Sequence, residues 1–299
     1  MDAEVSQSGI LIVDKPGGMT SHQVVGAVRR AFRTKKVGHA GTLDPMATGV
    51  LICGVNRATR LLGHLALHDK AYHATIRLGM ATNTDDADGE QISRADASSL
   101  DSSQIEAAMQ PLRGEIMQVP STVSAIKVDG KRAYARARAG EEVALAARPV
   151  TVSSFIATDI RRVAEFVDVD VDVECSAGTY VRALARDLGA ALGVGGHLTA
   201  LRRTRIGQYS LADAIPLTDL PGELMTMARA AQLSFPTMTV SAEQAVDVSL
   251  GRGLPIDAPA APTGLLNPNG ELIALYGPAE RHATDDRVGA WARPIAVLI

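Results

Sequence analysis

Apolar and polar residues alternate along several stretches of the chain, and this period of two predicts β-strands. In Phe166–Cys175, valines alternate with acids, which predicts an antiparallel strand with one face in water. Lys70–Gly79 alternates in a similar way, and His197–Gly207 also has the composition of a strand. The continuous apolar runs Gly9–Val13 and Val50–Val55 predict short buried strands.

Helices are predicted where apolar residues recur three and four positions apart. The segments Thr20–Gln23 and Ser103–Glu106 each fit a capping box at the start of a helix. Helical spacing over Val181–Leu188 predicts a further helix, and Thr218–Gln232 predicts another. Because strands and helices do not alternate regularly, we expect an α+β fold with a mixed, mostly antiparallel sheet flanked by helices.

The composition of the sequence changes near Val240, and after this residue short apolar segments are interrupted by many Pro and Gly residues. We therefore expect a larger domain over residues 1–239 and a small β-rich domain over 240–299. Within the larger domain, Pro120–Pro149 is polar, basic and rich in alanine, with weak periodicity. This composition predicts a long excursion from the core over about residues 120–150.

Composition narrows the class of protein. The chain has 299 residues, a net charge of −3 and two cysteines, Cys53 and Cys175. Two cysteines exclude a disulfide framework and a four-cysteine zinc site, and they fit a reducing cytoplasm. No apolar run reaches the ~20 residues of a membrane span, and Met1–Gly9 lacks the layout of a signal peptide.

Positive charge is concentrated in three runs, although the total charge is slightly negative. Such a chain can still present a positive face to phosphates, and the alternative is that each run is an ordinary solvated surface. The three runs are Arg29–Lys36, Lys127–Arg138 and Arg202–Arg205.

The strongest candidate for chemistry is the segment Val37–Gly49, which lies in a predicted loop over Lys35–Gly49. Its glycines allow a ligand to approach the backbone closely, and Pro45 fixes the chain directly after Asp44. Asp44 and His39 are its titratable side chains. An aspartate in this setting can act as a nucleophile, a general base or a metal ligand, or it can only bind the amides of its own turn.

Other signals are weaker. His64 and His68 have metal-ligand spacing on a predicted helix, but the Glu of the zincin motif is missing between them. The sequence contains no Gly-Lys-Ser/Thr loop and no Gly-x-Ser-x-Gly elbow, so neither a nucleotide-binding loop nor that type of serine hydrolase is supported. Taken alone, Tyr72 and Tyr180 fit core aromatics, and Lys15 fits a surface charge.

The segment Gly38–Gly49 resembles the catalytic-aspartate motif of the bacterial tRNA pseudouridine-55 synthases, the TruB family. Five further segments resemble motifs of that family in the same order, and together they cover Gly9–Gly207. The C-terminal part is similar to the family's PUA-type RNA-binding domain only loosely. The five segments are Gly9–Met19, Asp69–Gly89, Pro120–Tyr134, Gly178–Gly189 and Gly196–Arg203.

The resemblance implies that Asp44 is the catalytic carboxylate and that Arg182 pairs with it. It implies that Tyr72 stacks on the target base and takes part in removing the proton from C5. The other implied residues line the base pocket, support the site or contact the RNA. They are Tyr180 and Leu201 in the base pocket, His39 in the gap left by the extruded base, Lys15 in a mainly structural role, and Lys127 in a mobile thumb.

The resemblance also implies a pseudouridine-synthase fold with a PUA-like C-terminal domain, and binding to the T stem-loop of tRNA. We expect a monomer, and the lack of a targeting segment and the small number of cysteines predict the cytoplasm. Isomerisation of uridine adds and removes no external group, so no metal, nucleotide or other cofactor is expected. No membrane partner is expected either, because no apolar run has the length of a membrane span. The thumb corresponds to Pro120–Pro149, and its alanine-rich part Arg136–Ala147 is expected to be disordered without RNA. Because residues 240–299 hold four Lys/Arg against seven Asp/Glu, we expect them to add little RNA affinity.

Three alternatives remain open from the sequence. The chain can be a tRNA-binding folding helper in which catalysis is secondary, or a guide-RNA-dependent pseudouridine synthase subunit. The long basic excursion Pro120–Pro149 favours an enzyme that works without a guide. A small-molecule hydrolase that uses Asp44 is the third alternative, and it leaves the three basic runs unexplained.

Overall fold

The computed structural model describes residues 7–122, 145–279 and 290–299, with the backbone alone at 127–128 and 131–132. In these residues a ten-stranded mixed sheet is accompanied by a four-stranded sheet and two two-stranded ribbons. The strands are β1 (Gly9–Lys15), β2 (Val37–Ala40), β3 (Thr48–Val55), β4 (Lys70–Leu78), β5 (Met80–Thr82), β6 (Gln91–Arg94), β7 (Gly114–Gln118), β8 (Lys127–Val128), β9 (Lys131–Arg132), β10 (Arg148–Val163), β11 (Phe166–Cys175), β12 (Gly196–Ile206), β13 (Tyr209–Ser210), β14 (Ile215–Pro216), β15 (Thr237–Thr239), β16 (Thr263–Leu266), β17 (Leu272–Pro278) and β18 (Ala292–Val297). The α-helices are α1 (Ser21–Ala31), α2 (Leu62–Leu65), α3 (Ser102–Met109), α4 (Val181–Ala191), α5 (Met227–Ser234) and α6 (Ala242–Ser249). Short 3-10 helices cover Asn56–Leu61, Gln110–Leu112, Leu211–Asp213 and Leu217–Asp219.

The ten-stranded sheet organises the larger part of the molecule. Its order is β14-β1-β3-β12-β4-β11-β10-β7, with β2 paired to β3 and β13 paired to β12. The pairs are antiparallel except β1 with β14 and β3 with β12. Buried residues of α3 and α4 pack on β4, β10 and β11, while α1 packs on β1 and β3. The predicted α+β class, with a mixed and mostly antiparallel sheet flanked by helices, is therefore confirmed.

Strand β11 has the two-faced character that its alternation predicts. Its valines are fully buried in the core, while its acids bind side chains of the neighbouring strand β4. Asp168 accepts two bonds of 2.7 Å from Arg77, and Asp170 accepts one of 2.7 Å from Thr75. The outer face thus carries a row of cross-strand polar pairs, and these pairs stabilise the sheet.

Helix starts follow the capping chemistry, with one shift of position. The capping box predicted at the start of α1 is present. The second box is formed by Asp101 with Gln104, so α3 begins at Ser102 and the prediction at Ser103–Glu106 was wrong by two residues. The physical reason is that the Ser103 hydroxyl donates to Asp101 (2.6 Å), while Glu106 is bound by an arginine instead.

Two predictions of local structure were wrong. The segment Thr218–Gln232 is not one helix, because Pro221 lacks an N–H group and Gly222 has a φ of 61°, and α5 begins only at Met227. The segment Lys35–Gly49 is not entirely a loop, because β2 lies within it and pairs along β3. This pairing explains why the Gly-rich sequence holds a defined path toward Asp44.

The four-stranded sheet has the order β15-β16-β17-β18 and includes the small β-rich part expected near the C-terminus. It shares a hydrophobic core with the larger sheet, because leucines from β16 and β17 pack in the same cluster as Ile10 and Ile52. The guanidinium of Arg60 also donates to the carbonyl of Val297 (2.5 Å). None of the helices in the described part of the chain is long and apolar enough to cross a membrane.

Candidate active site

A cavity of about 260 Å³ opens between the first half of the loop that joins β2 to β3 (residues 41–47, the Asp44 loop), the start of α4 and the strands β4 and β12. It brings together five residues that the sequence singles out, from segments far apart in the chain. These are Asp44, Tyr72, Tyr180, Arg182 and Leu201. Gly41, Thr42, Lys70 and Arg203 complete its polar wall.

Hydrogen bonds from the end of β1, the start of α1 and the segment between them hold the backbone around Asp44. The buried hydroxyl of Ser21 accepts a bond from the N–H of Leu43 (2.9 Å) and donates to its carbonyl (3.1 Å). On the other side of Asp44, the carbonyl of Pro45 accepts bonds from the N–H of Gly18 (2.8 Å) and from Lys15 (3.2 Å). The residues on both sides of Asp44 are therefore held before any ligand binds.

The side chain of Asp44 points to Arg182 at the start of α4. Their atoms Oδ2 and Nε are 2.9 Å apart, and Oδ1 lies 3.3 Å from Nη2. The Arg182 side chain is 3% exposed, whereas that of Asp44 is 34% exposed. The carboxylate is therefore held on one side by a buried cation and remains open to the cavity on the other.

Arg182 is itself shared between groups. Its Nη1 donates to the carbonyl of Thr84 (2.8 Å) and lies 3.4 Å from the carboxylate of Asp86. Asp86 is buried and accepts a hydrogen bond from the hydroxyl of Thr84 (2.5 Å). Sequence reasoning placed Asp86 in an acidic turn without a role at the site. The signal for it was the acidic Asp-x-Asp-Gly end of the segment Asp69–Gly89.

Burial raises the pKa of Asp44 above its ordinary value. The positive charge and hydrogen bond of Arg182 oppose this rise, while the negative charge of Asp86 adds to it. The arginine thus favours the ionised form of a partly desolvated carboxylate. The alternative that Asp44 only binds the amides of its own turn is wrong, because its carboxylate is engaged across the cavity with Arg182.

Tyr72 lies in β4 directly opposite Arg203 in β12. Burial raises the pKa of the Tyr72 hydroxyl, and the positive charge of Arg203, followed by a hydrogen bond from it, opposes that rise. Arg203 also donates to the carbonyls of Val50 (2.8 Å) and Gly41 (2.9 Å). Only 1% of Arg203 is exposed.

The assignment of Arg202–Arg205 to a phosphate-facing surface was therefore wrong for Arg203, which is buried in the cavity wall. Its neighbours are bound to carboxylates, Arg202 to Asp14 (2.7 Å) and Arg205 to Asp69 (2.7 Å). Side chains alternate between the faces of a strand, so a contiguous basic run cannot all face one way. The signal for Arg203 was its spacing of two from Leu201.

Two lysines near the cavity are buried as well. Lys15 is fully buried and donates to the carbonyl of Met19 (2.6 Å), so its interpretation as a surface charge was wrong. Lys70 donates to the carbonyls of Ala66 (2.9 Å) and His68 (2.6 Å). Burial lowers the pKa of Lys15 and of Lys70 to about 8 in each case. Sequence reasoning did not single out Lys70.

The remaining predicted residues fall in different places. The backbone N–H and carbonyl of Tyr180 are both bound by the side chain of Gln118 (2.8 and 3.1 Å). His39 lies in β2 outside the cavity lining, with its ring centroid 5.5 Å from that of His22. The side chain of Lys127 and positions 136–144 of the proposed thumb lie outside the described residues, so the predictions about them stay predictions.

His64 and His68 do not face each other as metal ligands. Their rings contact Phe235, with centroid distances of 6.2 and 5.9 Å. In the part of the chain that the structure describes, no group of three His, Cys, Asp or Glu side chains is arranged to hold a metal ion.

Two family models match adjacent segments of the chain, and residues of both segments line the cavity. Residues 29–181 match the N-terminal domain of the TruB family pseudouridylate synthases. Residues 182–240 match the C-terminal domain described for tRNA pseudouridylate synthase B. The first match contains Asp44 and Tyr72, and the second contains Arg182, so both contribute side chains to the cavity.

Whole-chain relatives agree with these matches. The tRNA pseudouridine synthase B of Cutibacterium acnes is 58% identical over 98% of this chain and 99% of its own length. The protein of the same name from Corynebacterium efficiens is 54% identical over 92% of this chain and 94% of its own. That from Thermobifida fusca is 55% identical over 89% and 93%.

Solved structures of similar fold come from larger assemblies. A chain of a Cbf5-Nop10-Gar1 complex superposes with a TM-score of 0.74 and 26% identity, covering 97% of this chain and 85% of that chain. A chain of an H/ACA RNP bound to a substrate RNA containing 2′-deoxyuridine gives a TM-score of 0.71 and 25% identity, with the same coverage. These likenesses confirm the fold class expected from the sequence.

Proposed function

This chain belongs to the TruB family of pseudouridylate synthases, and we propose that it isomerises the uridine at position 55, in the T loop of tRNA, to pseudouridine. Relatives that share more than half of its residues over nearly their whole length are tRNA pseudouridine synthases. The observation that carries the proposal is the carboxylate of Asp44, bound on one side by Arg182 and open on the other to the cavity.

The reaction breaks the bond between N1 and C1′, turns the base over and joins C5 to C1′. The proton leaves C5 and N1 gains one, so no external group enters or leaves and no cofactor is required. Asp44 acts as an anion, by attack at C1′ or at C6 or by assisting departure of the uracil anion. All of these routes need an ionised carboxylate, which Arg182 stabilises against the effect of burial.

The target base reaches Asp44 only after it leaves the RNA stack, which costs a few kcal/mol. Stacking on Tyr72 offsets roughly 1–3 kcal/mol of this cost, and Tyr72 is placed to take part in removing the proton from C5. Tyr180 and Leu201 enclose the base from the other walls. His39 lies outside the cavity lining, which suits a side chain that fills the gap in the RNA.

The basic run Arg29–Lys36 connects the end of α1 to β2 and leads to His39. Its cations Arg29, Arg30, Arg33, Lys35 and Lys36 are all exposed. Arg29 donates to the carbonyl of Val37 (2.9 Å). Because a carbonyl is neutral, this bond leaves the positive charge of the run available to phosphates. We assign this surface to the RNA backbone, because phosphate contacts supply most of the affinity and fix the register of the nucleic acid.

The further parts of the proposal concern organisation. We propose a catalytic domain over residues 1–239, a thumb over about 120–150 and a PUA-like domain over 240–299. The chain acts as a monomer on the T stem-loop. We place it in the cytoplasm, because both cysteines are free and buried and the substrate is tRNA.

Two alternatives are weaker than this proposal. A guide-RNA-dependent subunit is suggested by the solved structures, but these share 25–26% identity with the chain, against 54–58% for the tRNA enzymes. A folding helper needs only affinity for tRNA, and affinity does not explain a partly desolvated carboxylate paired with a buried arginine.

The test is the release of tritium from C5-labelled uridine in an unmodified tRNA transcript, without added metal or nucleotide. The wild type should release tritium from one uridine, and Asp44→Asn should be slower by about three orders of magnitude because it has no carboxylate charge. Asp44→Asn should still bind tRNA.

The matched control is Asp172→Asn, which makes the same chemical change at a carboxylate that binds His73 on the outer face of the sheet (2.9 Å). It should retain wild-type activity. Full activity of Asp44→Asn, or wild-type protein that releases no tritium, would overturn the proposed function.

A further inference from the structure

Tyr72 and Arg203 form a cross-strand pair in the wall of the cavity. They are register partners on the antiparallel strands β4 and β12, and both line the cavity that contains Asp44. Directly opposed residues of an antiparallel pair place their side chains on the same face. The guanidinium of Arg203 acts on the hydroxyl of Tyr72 there, by its charge and by a hydrogen bond, and both effects oppose the rise that burial causes in the pKa of Tyr72.

Arg203 connects Tyr72 to the segment that leads to Asp44. Its Nη2 donates to the carbonyl of Gly41 (2.9 Å) and its Nη1 lies 3.4 Å from the carbonyl of Thr42. Its Nε donates to the carbonyl of Val50 in β3 (2.8 Å). One planar group therefore binds both β3 and the loop before Asp44, and it belongs to the residue that lies directly opposite Tyr72 in the strand pair.

The close approach of β3 to β12 holds this arrangement together. Gly49 has a φ of 100°, and a Cβ atom there would lie 2.2 Å from the backbone oxygen of Arg203. Only glycine allows this contact. The position of Arg203 is consequently set by its backbone as well as by its side chain.

The hydrogen bond has a direction. A guanidinium donates and cannot accept, so the Tyr72 oxygen accepts from Arg203. The hydroxyl proton must then point away from Arg203, and the second lone pair of the oxygen stays available. Tyr72 and Arg203 both line the cavity, so a base stacked on the ring of Tyr72 would lie beside this pair.

We propose that Arg203 is a positioning residue, which orients the Tyr72 hydroxyl toward the reacting base and couples it to the Asp44 loop. The inference rests on the proposed function, since it assigns Tyr72 a part in the isomerisation. Arg203 itself needs no contact with the RNA. Its effect should therefore appear in the rate of the bound complex and not in affinity for tRNA.

The experiment is a double-mutant cycle on single-turnover pseudouridine formation at saturating enzyme, with Arg203→Lys, Tyr72→Phe and the double variant. Arg203→Lys should lower the rate roughly 10- to 100-fold, as expected for loss of a hydrogen bond from a charged group. In the Tyr72→Phe background the same change should cost at least about fivefold less, because coupled residues are not additive. Dissociation constants for tRNA should stay within about twofold of wild type, as expected for a residue without RNA contacts.

The matched control is Arg77→Lys, a change of the same kind on β4 at an arginine bound to Asp168 on the outer face. It should leave the rate unchanged. Equal losses from Arg203→Lys in both Tyr72 backgrounds would overturn the inference and leave the proposed function standing. Wild-type protein that forms no pseudouridine would overturn the proposed function instead.

A second measurement does not depend on the folding of Arg203 variants. In protein labelled with ¹⁵N-arginine, the Arg203 guanidinium should give a slowly exchanging signal, since its donors are buried and bonded. That signal should shift in Tyr72→Phe, which removes only the acceptor hydroxyl. An unshifted signal would contradict the inference.

Discussion

Two arginine–aspartate pairs on the same molecule differ in what surrounds them. On the outer face of the sheet, Arg77 binds Asp168 through two bonds of 2.7 Å, and the side chain of Asp168 is 11% exposed. In the cavity, Arg182 binds Asp44 at 2.9 and 3.3 Å, and the side chain of Asp44 is 34% exposed. The inner pair is looser, and its carboxylate is the more open one.

The proposed function assigns the two pairs different roles, in which the outer pair supports the fold and the inner pair takes part in the reaction. Both oxygens of Asp168 are used by one arginine, which also lies over the ring of Phe166 (5.4 Å). Arg182 divides its donors between Asp44, Asp86 and a carbonyl. Because Arg182 is shared with a second carboxylate, it orients Asp44 without occupying all of its hydrogen-bond acceptor positions. The remaining positions stay available to a substrate.

The strongest way to break this comparison is to make the same substitution in both pairs. Arg182→Lys should lower the rate of pseudouridine formation roughly 100- to 1,000-fold, because lysine cannot reproduce the ion pair and hydrogen bond to Asp44 together with the hydrogen bond to Thr84. Binding of tRNA should persist. Single-turnover rates and filter binding measure the two quantities separately.

Arg77→Lys should behave in the opposite way. Activity should be retained, while the free energy of unfolding falls by about 0.5–1.5 kcal/mol, because one of the two bonds to Asp168 is lost at a partly exposed site. If both lysine variants lose activity equally, the distinction between the two pairs is wrong.

A smaller effect is expected from the support of the Asp44 backbone. Ser21→Ala removes both bonds to Leu43 and should slow the reaction about 10-fold by loosening the position of the carboxylate. Denaturant unfolding should also show a loss of about 1–3 kcal/mol, since the buried N–H of Leu43 loses its partner.

Ser153→Ala is the matched control for this change, because that exposed hydroxyl makes one bond to the carbonyl of Glu174 (3.1 Å) on the outer face. It should alter neither the rate nor, measurably, the stability. A Ser21→Ala enzyme with full activity would show that the loop needs no support from α1.

The finest test of the shared arginine is the pH dependence. Because the pKa of Asp44 is raised, kcat/KM should fall as the pH drops through a value above the ordinary carboxyl range, where Asp44 becomes protonated. Asp86→Asn removes a negative charge that contributes to this rise, so the acid limb should move to lower pH. Asp88→Asn, an exposed change in the same turn, should leave it in place, and equal shifts in both variants would contradict the coupling.

The sequence was informative where function depends on a short contiguous segment. The loop around Asp44 and the helix that begins after Tyr180 could be placed from local signals, and the pairing of Asp44 with Arg182 was available from the family resemblance. The alternation in Phe166–Cys175 likewise predicted a strand with two different faces. The loop, the helix and the strand are each determined by residues that are neighbours in the chain, whereas the pairing of Asp44 with Arg182 joins distant segments and came from the resemblance alone.

What the sequence did not reveal depends on contacts between distant segments. Arg203 was grouped with Arg202 and Arg205 by position, although alternation along β12 buries it against Gly41 and Val50. Asp86 lies beside Arg182 (3.4 Å) only because the fold brings these distant segments together. Lys15 looked like a surface charge, because nothing in its neighbours along the chain shows the carbonyls that surround its ammonium group.

The hydrophobic core that the two sheets share makes the stability of each sheet depend on the other. The terminal sheet covers the side of the larger sheet that carries Ile10 and Ile52, and Arg60 ties down its last strand. The two sheets are therefore joined by buried apolar contacts as well as by the chain. Removing the terminal sheet would expose apolar side chains of the neighbouring strands to water, so truncation should lower both the solubility and the melting temperature of the remaining protein.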